Sequence, residues 1–226
     1  IYNDKLIQTL ENNSHWEDHG YRVLQGNCVQ GDQMVIERPL RNSPLSISKH
    51  QSPDELITVY SASNFDNEVD WVTKSIERAI KIDKLRADDI IVISLDDRNV
   101  KLYSREISDK LYELGINSHN LSLNSYEKGF VEDDCVTLTT VYKAKGHEAA
   151  MVFVVGCDVL EREKNTLGMR NRVFTALTRA KAWLRVSGIK IEEHSICKEI
   201  SKVKENDFTL KFTYKESHII QRDLDE

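Results

Sequence analysis

Cysteine is scarce in this sequence and none of it is paired. Cys28, Cys135, Cys157 and Cys197 lie far apart with no C-x-x-C among them, which argues against a zinc knuckle or a disulfide framework and fits a reducing, cytoplasmic setting. The seven histidines form no H-x-x-x-H or Cys/His cluster, so no metal site is expected from them. No apolar run approaches the roughly 20 residues that span a bilayer. The opening residues, Ile1 to Glu11, are polar and mixed in charge, unlike a signal peptide. Basic residues are not in excess either: 31 Lys and Arg against 37 Asp and Glu leave a formal charge of -6. That excludes a globally basic nucleic-acid clamp and leaves only local contact with such a partner. The phosphate-cradling loop G-x-x-x-x-G-K-[ST] is absent, as are G-x-G-x-x-G and a strand ending in an Asp-Glu pair that would hold magnesium.

What remains is a chain of 226 residues, 40% of them apolar, enough for one main core or one core with a small appendage. Apolar residues at helical spacing, Val69, Val72, Ile76, Ala79 and Ile80, predict a helix over 67–82. The run Ile90-Ile91-Val92-Ile93 predicts a strand buried on both faces. A second helix follows, with Val100, Tyr103, Ile107, Leu111 and Leu114 on one stripe and Gly115 as its stop. Strands at 136–141 and 151–155, a helix at 172–180, a strand at 184–187 and a helix at 191–203 continue the alternation. This pattern builds a doubly wound, mostly parallel sheet with helices on both faces, where ligands are expected at the carboxyl ends of the strands. Residues 1–52 read as a lead-in segment and linker, with Pro39, Pro44 and Pro53 in or beside the polar stretch that closes it. Residues 53–215 form the expected domain, and 216–226 an acidic tail. The chain opens at Ile1 without a methionine, so a fragment of a longer polypeptide is expected.

Two stretches carry chemistry. The first, Thr140 to Glu148 (TVYKAKGHE), lies between a β-rich segment and a buried strand. Thr139, Thr140, Lys143 and Lys145 can donate to phosphate oxygens, Gly146 allows close backbone approach, and Glu148 can accept from a sugar hydroxyl. The same residues also make an ordinary polar turn. The second, Arg170 to Trp183, contains Thr175 to Ala180 (TALTRA). Arg179 near the end of its helix either neutralises the carbonyl dipole or reaches a γ-phosphate with its planar, five-donor guanidinium.

Together the two stretches resemble motifs V and VI of UvrD/Rep-like superfamily 1 helicases, usually T-x-H-x-x-K-G-x-E and V-A-L-T-R-A. The resemblance covers about residues 55–190 and implies a RecA-like, P-loop NTPase-type fold, here the C-terminal motor domain without its Walker A loop. It implies Arg179 as the arginine finger, Gly146 and Glu148 with Arg179 on the ATP side, and Thr140, Tyr142 and Lys143 near single-stranded nucleic acid. Tyr142 replaces the usual histidine and His147 the usual leucine. An acidic residue at Asn67-Glu68 resembles the one that opens the equivalent helix, although an acid on a helix dipole explains it equally. Trp16, Trp71 and Trp183 are read as packing residues.

The resulting expectation is an ATP-dependent DNA or RNA helicase domain, inactive as an isolated fragment. Its cofactor is ATP with Mg2+, the magnesium ligands lying in a first RecA-like domain of the same polypeptide. Its other partner is single-stranded nucleic acid, with no membrane association. The stretch from Gly115 to Cys135 is too short for the large helical insertion of some relatives. The alternative is a non-catalytic nucleic-acid-binding or regulatory module that keeps the fold.

Overall fold

A computed structural model describes residues 10–42, 47, 51–123, 129–162, 167–206 and 209–214. In chain order the elements are α1 (Asn13–Asp18), β1 (Arg22–Gln25), β2 (Gln33–Glu37), α2 (Pro53–Leu56), β3 (Ile57–Ala62), α3 (Phe65–Lys81), β4 (Ile90–Ser94) and α4 (Val100–Glu113). Then follow β5 (Asn117–Asn120), β6 (Cys135–Thr140), α5 (Val141–Ala144), β7 (Ala149–Val155), α6 (Val159–Arg162), α7 (Leu167–Leu177), β8 (Ala180–Ile189), α8 (Ser195–Glu205) and β9 (Thr209–Thr213). These belong to two compact units, one from residues 50–198 and one from residues 1–49 with 199–226.

The larger unit is the expected α/β fold. Its six strands run in the order β3-β8-β7-β4-β6-β5, and every neighbouring pair is parallel. β4 is buried along its whole length, as its unbroken apolar run requires. Strand alternation divides the core. Leu138, Val92 and Phe153 stand in one register row and pack with Val72 and Ile76 of α3 and Ile107 and Leu111 of α4. Residues one position on, such as Ile93 and Val154, face the opposite side, where α5 lies near β4 and α7 near β7. α3 starts at Phe65, two residues before the sequence pattern suggests, because the Asn64 side chain accepts from the Asn67 N–H at 2.9 Å and caps the helix. α4 stops where expected: Gly115 takes φ +73, and the Ile116 N–H closes onto the Leu111 carbonyl at 2.9 Å. Among the described residues, no helix is long and apolar enough to cross a membrane.

The smaller unit departs from the expected lead-in and linker. β1, β2 and β9 form an antiparallel sheet, with Ile36 opposite Leu210 and Met34 opposite Phe212. Trp16 of α1 meets Phe212 with ring centroids 5.8 Å apart, and Met34, Ile36 and Tyr214 complete a core. The boundary expected at 215 therefore falls near 198, since a strand from the end of the chain pairs with one from its beginning. Local periodicity carries no trace of such a pairing. The expected acidic tail, 216–226, lies outside the described residues.

Glu68 differs from its expected place as an acid on a helix dipole. It is fully buried, and its carboxylate accepts from the Gly156 N–H (3.0 Å), the Ser187 hydroxyl (2.7 Å) and the Tyr103 hydroxyl (2.7 Å). One side chain of α3 thus joins α4, the end of β7 and β8. Burial pushes its pKa up, against the lowering effect of the three donors. An unfolded glutamate titrates near pH 4.3, so this group's contribution to stability is complete below that pH and is lost as pH rises through the raised folded value. Glu68→Gln can keep all three contacts, its carbonyl accepting and its amide donating to Tyr103. Its melting temperature relative to the parent is expected to climb across that window and level off above it. Parallel curves for the two proteins through a pH series would show that Glu68 titrates as an ordinary carboxylate.

Candidate functional site

The carboxyl end of β6 forms a polar corner. Thr140 caps the short helix α5, its hydroxyl accepting from the Lys143 N–H at 3.3 Å. The Lys143 ammonium donates to the Leu121 carbonyl at 2.5 Å, which anchors its side chain beside β5 and leaves two further donors. Tyr142 is 67% exposed, with the Arg172 guanidinium 5.5 Å from its ring centroid. Thr140, Tyr142 and Lys143 are therefore brought together, as expected from the sequence.

Beyond α5 the chain turns at Gly146, with φ +90, and runs through exposed Glu148 into β7. The Ala149 N–H donates to the Arg179 carbonyl at 3.1 Å, and Ala149 stands opposite Ala180. Glu148 and Arg179 thus sit side by side at the amino ends of β7 and β8. The candidate residues are therefore divided between the two ends of the sheet, whereas the sequence pattern alone placed them at the carboxyl ends. Thr140 is level with Ser94 and hence with Val155, six residues along β7 from Ala149 (155 - 149). At about 3.3 Å per residue the two groups are roughly 20 Å apart across the sheet. One continuous segment, Thr140 to Glu148, connects them.

Arg179 lies past the end of α7 rather than within it. The predicted helix over 172–180 is observed over Leu167–Leu177, because the backbone at 179–180 is taken up by pairing with β7. The Arg179 Nε donates to the Thr175 carbonyl (3.0 Å) and one Nη to the Thr178 hydroxyl (3.2 Å). In this conformation the guanidinium neutralises the helix end. To meet a phosphate it must turn away from Thr175.

The two departures from the family pattern both have partners. His147 stacks flat on Phe130, with centroids 3.7 Å apart and an interplanar angle of 3°. Tyr142 faces Arg172, a residue inside the second stretch to which no role was assigned from the sequence. No local signal in the sequence joins them: only the fold places α7 beside α5. Asp96 was also missed. Burial alone would raise its carboxyl, yet hydrogen bonds from Arg162 (2.6 Å) and Asn99 (2.8 Å) outweigh this and hold it below the usual range. The tryptophans pack as expected: Trp71 stacks on Tyr60 at 4.8 Å, and the Trp183 indole donates to Gln51 at 2.7 Å.

The sequence of residues 136–187 matches the family described as the UvrD-like helicase C-terminal domain. The match is a similarity to that family over this segment alone. The segment runs from β6 into β8 and contains all six proposed site residues. A solved structure with similarity is the C-terminal domain of a possible DNA helicase from Lactobacillus plantarum WCFS1. It is 18% identical, with a TM-score of 0.45, over 63% of this chain and 78% of that one. No curated protein matches the sequence.

Within residues 136–187, Gly146 and Gly168 separate backbone strain from crowding. A Cβ added at Gly146 or at Gly168 would meet nothing within 4 Å, but only Gly146 has a positive φ. Gly146→Ala is expected to cost about 1–2 kcal/mol. Gly168→Ala, in α7, is expected to be neutral or to stabilise by up to about 1 kcal/mol. Urea denaturation of both variants measures the difference, and equal midpoints would mean that the loop relaxes around the added methyl group without strain.

Proposed function

We propose that this chain is the second motor domain of an ATP-dependent superfamily 1 helicase, completing a nucleotide site with Arg179 and contacting single-stranded nucleic acid at the Tyr142 corner. The observation that carries this reading is the juxtaposition of Glu148 and Arg179 on adjacent strand ends, tied by the Ala149–Arg179 backbone bond. An exposed carboxylate on one strand end and an arginine on the next, once that arginine turns from Thr175, suit a ligand with sugar hydroxyls at one end and phosphates at the other. These residues fit one side of ATP and no more: the phosphate cradle and magnesium ligands belong to a first RecA-like domain of the same polypeptide. When bound, ATP supplies the phosphoanhydride bond whose hydrolysis drives a motor of this kind.

The chain's own residues have separable tasks. Glu148 orients a sugar hydroxyl by accepting a hydrogen bond from it, with Gly146 keeping the approach to the loop free of a side chain. Arg179, released from Thr175, places two or more N–H donors on oxygens that gain negative charge during phosphoryl transfer. Thr140, Lys143 and Tyr142 hold a strand at the opposite end of the sheet. The loop that turns at Gly146 and the packed helix α7 beside it link the two ends.

A non-catalytic module is the second reading, and one observation favours it: Arg179 already has acceptors at Thr175 and Thr178. Arg179→Ala in the intact protein decides between them. The motor reading expects ATP turnover to fall on the order of 10³-fold with ATP affinity changed far less. A loss of thermal stability with turnover intact would leave Arg179 as a helix-end charge.

Lys143→Ala tests the strand side. Loss of one phosphate contact is expected to reduce the dependence of log affinity on log salt by about 0.7 for a single strand. A titration in which the slope keeps the parental value would confine Lys143 to its bond with Leu121.

A further inference from the structure

Arg172 is tied down more thoroughly than a surface arginine of α7 needs to be. Its side chain is 17% exposed, and one Nη donates both to the Leu95 carbonyl just past β4 (2.9 Å) and to the Asp97 carboxylate (2.8 Å). The guanidinium lies over the Tyr142 ring at 5.5 Å. Its Nε is buried with no acceptor. A buried donor left without a partner is unfavourable, and an arginine serving stability alone would gain by turning Nε toward water. Its charged group is instead held over a ring that is otherwise 67% exposed. α7 itself cannot easily shift, since Met169, Val173 and Ala176 are buried.

We propose that Arg172 is a positioning residue for nucleic-acid binding: it fixes the Tyr142 ring as a one-sided stacking platform for a base, acting through the ring and not through a phosphate. The inference rests on the proposed strand contact at Tyr142. Arg172 covers one face by a cation–π contact, and the open face meets the base. The anchors at Leu95 and Asp97 set where the guanidinium lies, and the ring follows. A lysine cannot reproduce this, because a compact ammonium cannot reach both acceptors and at the same time spread its charge over the ring as a guanidinium does.

The test is a double-mutant cycle on the full chain, read as binding of a fluorescent oligothymidylate against salt, with melting temperatures recorded for each protein. Tyr142→Ala and Arg172→Met are each expected to weaken binding, the latter on the order of three- to tenfold. The double variant should bind like Tyr142→Ala alone, and Arg172→Met should leave the salt slope at the parental value. Arg172→Lys, which keeps the charge, should bind like Arg172→Met; it also supplies the measurement if the methionine variant fails to fold. Additive effects, or a slope reduced by about 0.7, would mean that Arg172 meets a phosphate itself and would overturn the proposal. Parental affinity in both Arg172 variants would overturn it as well. If Tyr142→Ala alone binds like the parent, the strand reading of this corner fails first, and the positioning role fails with it.

Discussion

The parallel pairing of β7 with β8 begins at the hydrogen bond from the Ala149 N–H to the Arg179 carbonyl, and the rest of the candidate site depends on where that pairing starts. It ends α7 at Leu177, because the backbone beyond Thr178 is committed to the sheet. It also sets Glu148 and Arg179 next to each other, one residue outside each strand. Were the register one residue different, every side chain of β8 would exchange faces, and Trp183 and Arg185 would leave the α3 side for the α7 side.

The opposite end of the same strands is organised by a buried acid. Glu68 gathers donors from α4, β7 and β8, and replacing it by a residue without an acceptor would leave three buried donors unpaired, at a cost on the order of 3 kcal/mol or more. The raised carboxyl and the raised Tyr103 hydroxyl share one leading cause, burial; Glu68 pushes the Tyr103 hydroxyl further up, while the hydrogen bond from Tyr103 opposes the rise at Glu68. The larger unit thus carries a polar junction inside an apolar core. Networks of this kind favour one arrangement of elements over others that bury similar area.

Separation of the two candidate contacts has a mechanical meaning for the proposed motor. A strand at the Tyr142 corner and a nucleotide beside Arg179 would not touch, and roughly 20 Å of sheet lies between them. Two routes run along it: the segment from Thr140 to Glu148, turning at Gly146, and α7, which carries Arg172 at its middle and leads to Arg179 just beyond its carboxyl end. Both routes lie on the same face of the sheet, with α5 packed beside α7.

Much of this was legible in the sequence. The periods of α3, β4 and α4 follow from side-chain spacing alone, since burial of one helical face or of a whole strand imposes a local pattern. The two motifs identified the candidate residues because phosphate and sugar recognition demands particular donors and acceptors at short spacing. Three features required the fold. The smaller unit depends on β2 meeting β9 from the far end of the chain, a pairing set by two distant backbones. Glu68 reads as a surface acid until α4, β7 and β8 close around it. The division of the site between opposite strand ends, and the contact of Arg172 with Tyr142, arise because a parallel sheet carries consecutive loops to alternate ends. Residue types are a local choice of the sequence, whereas which of them meet is settled by the register of strands and the packing of helices across them.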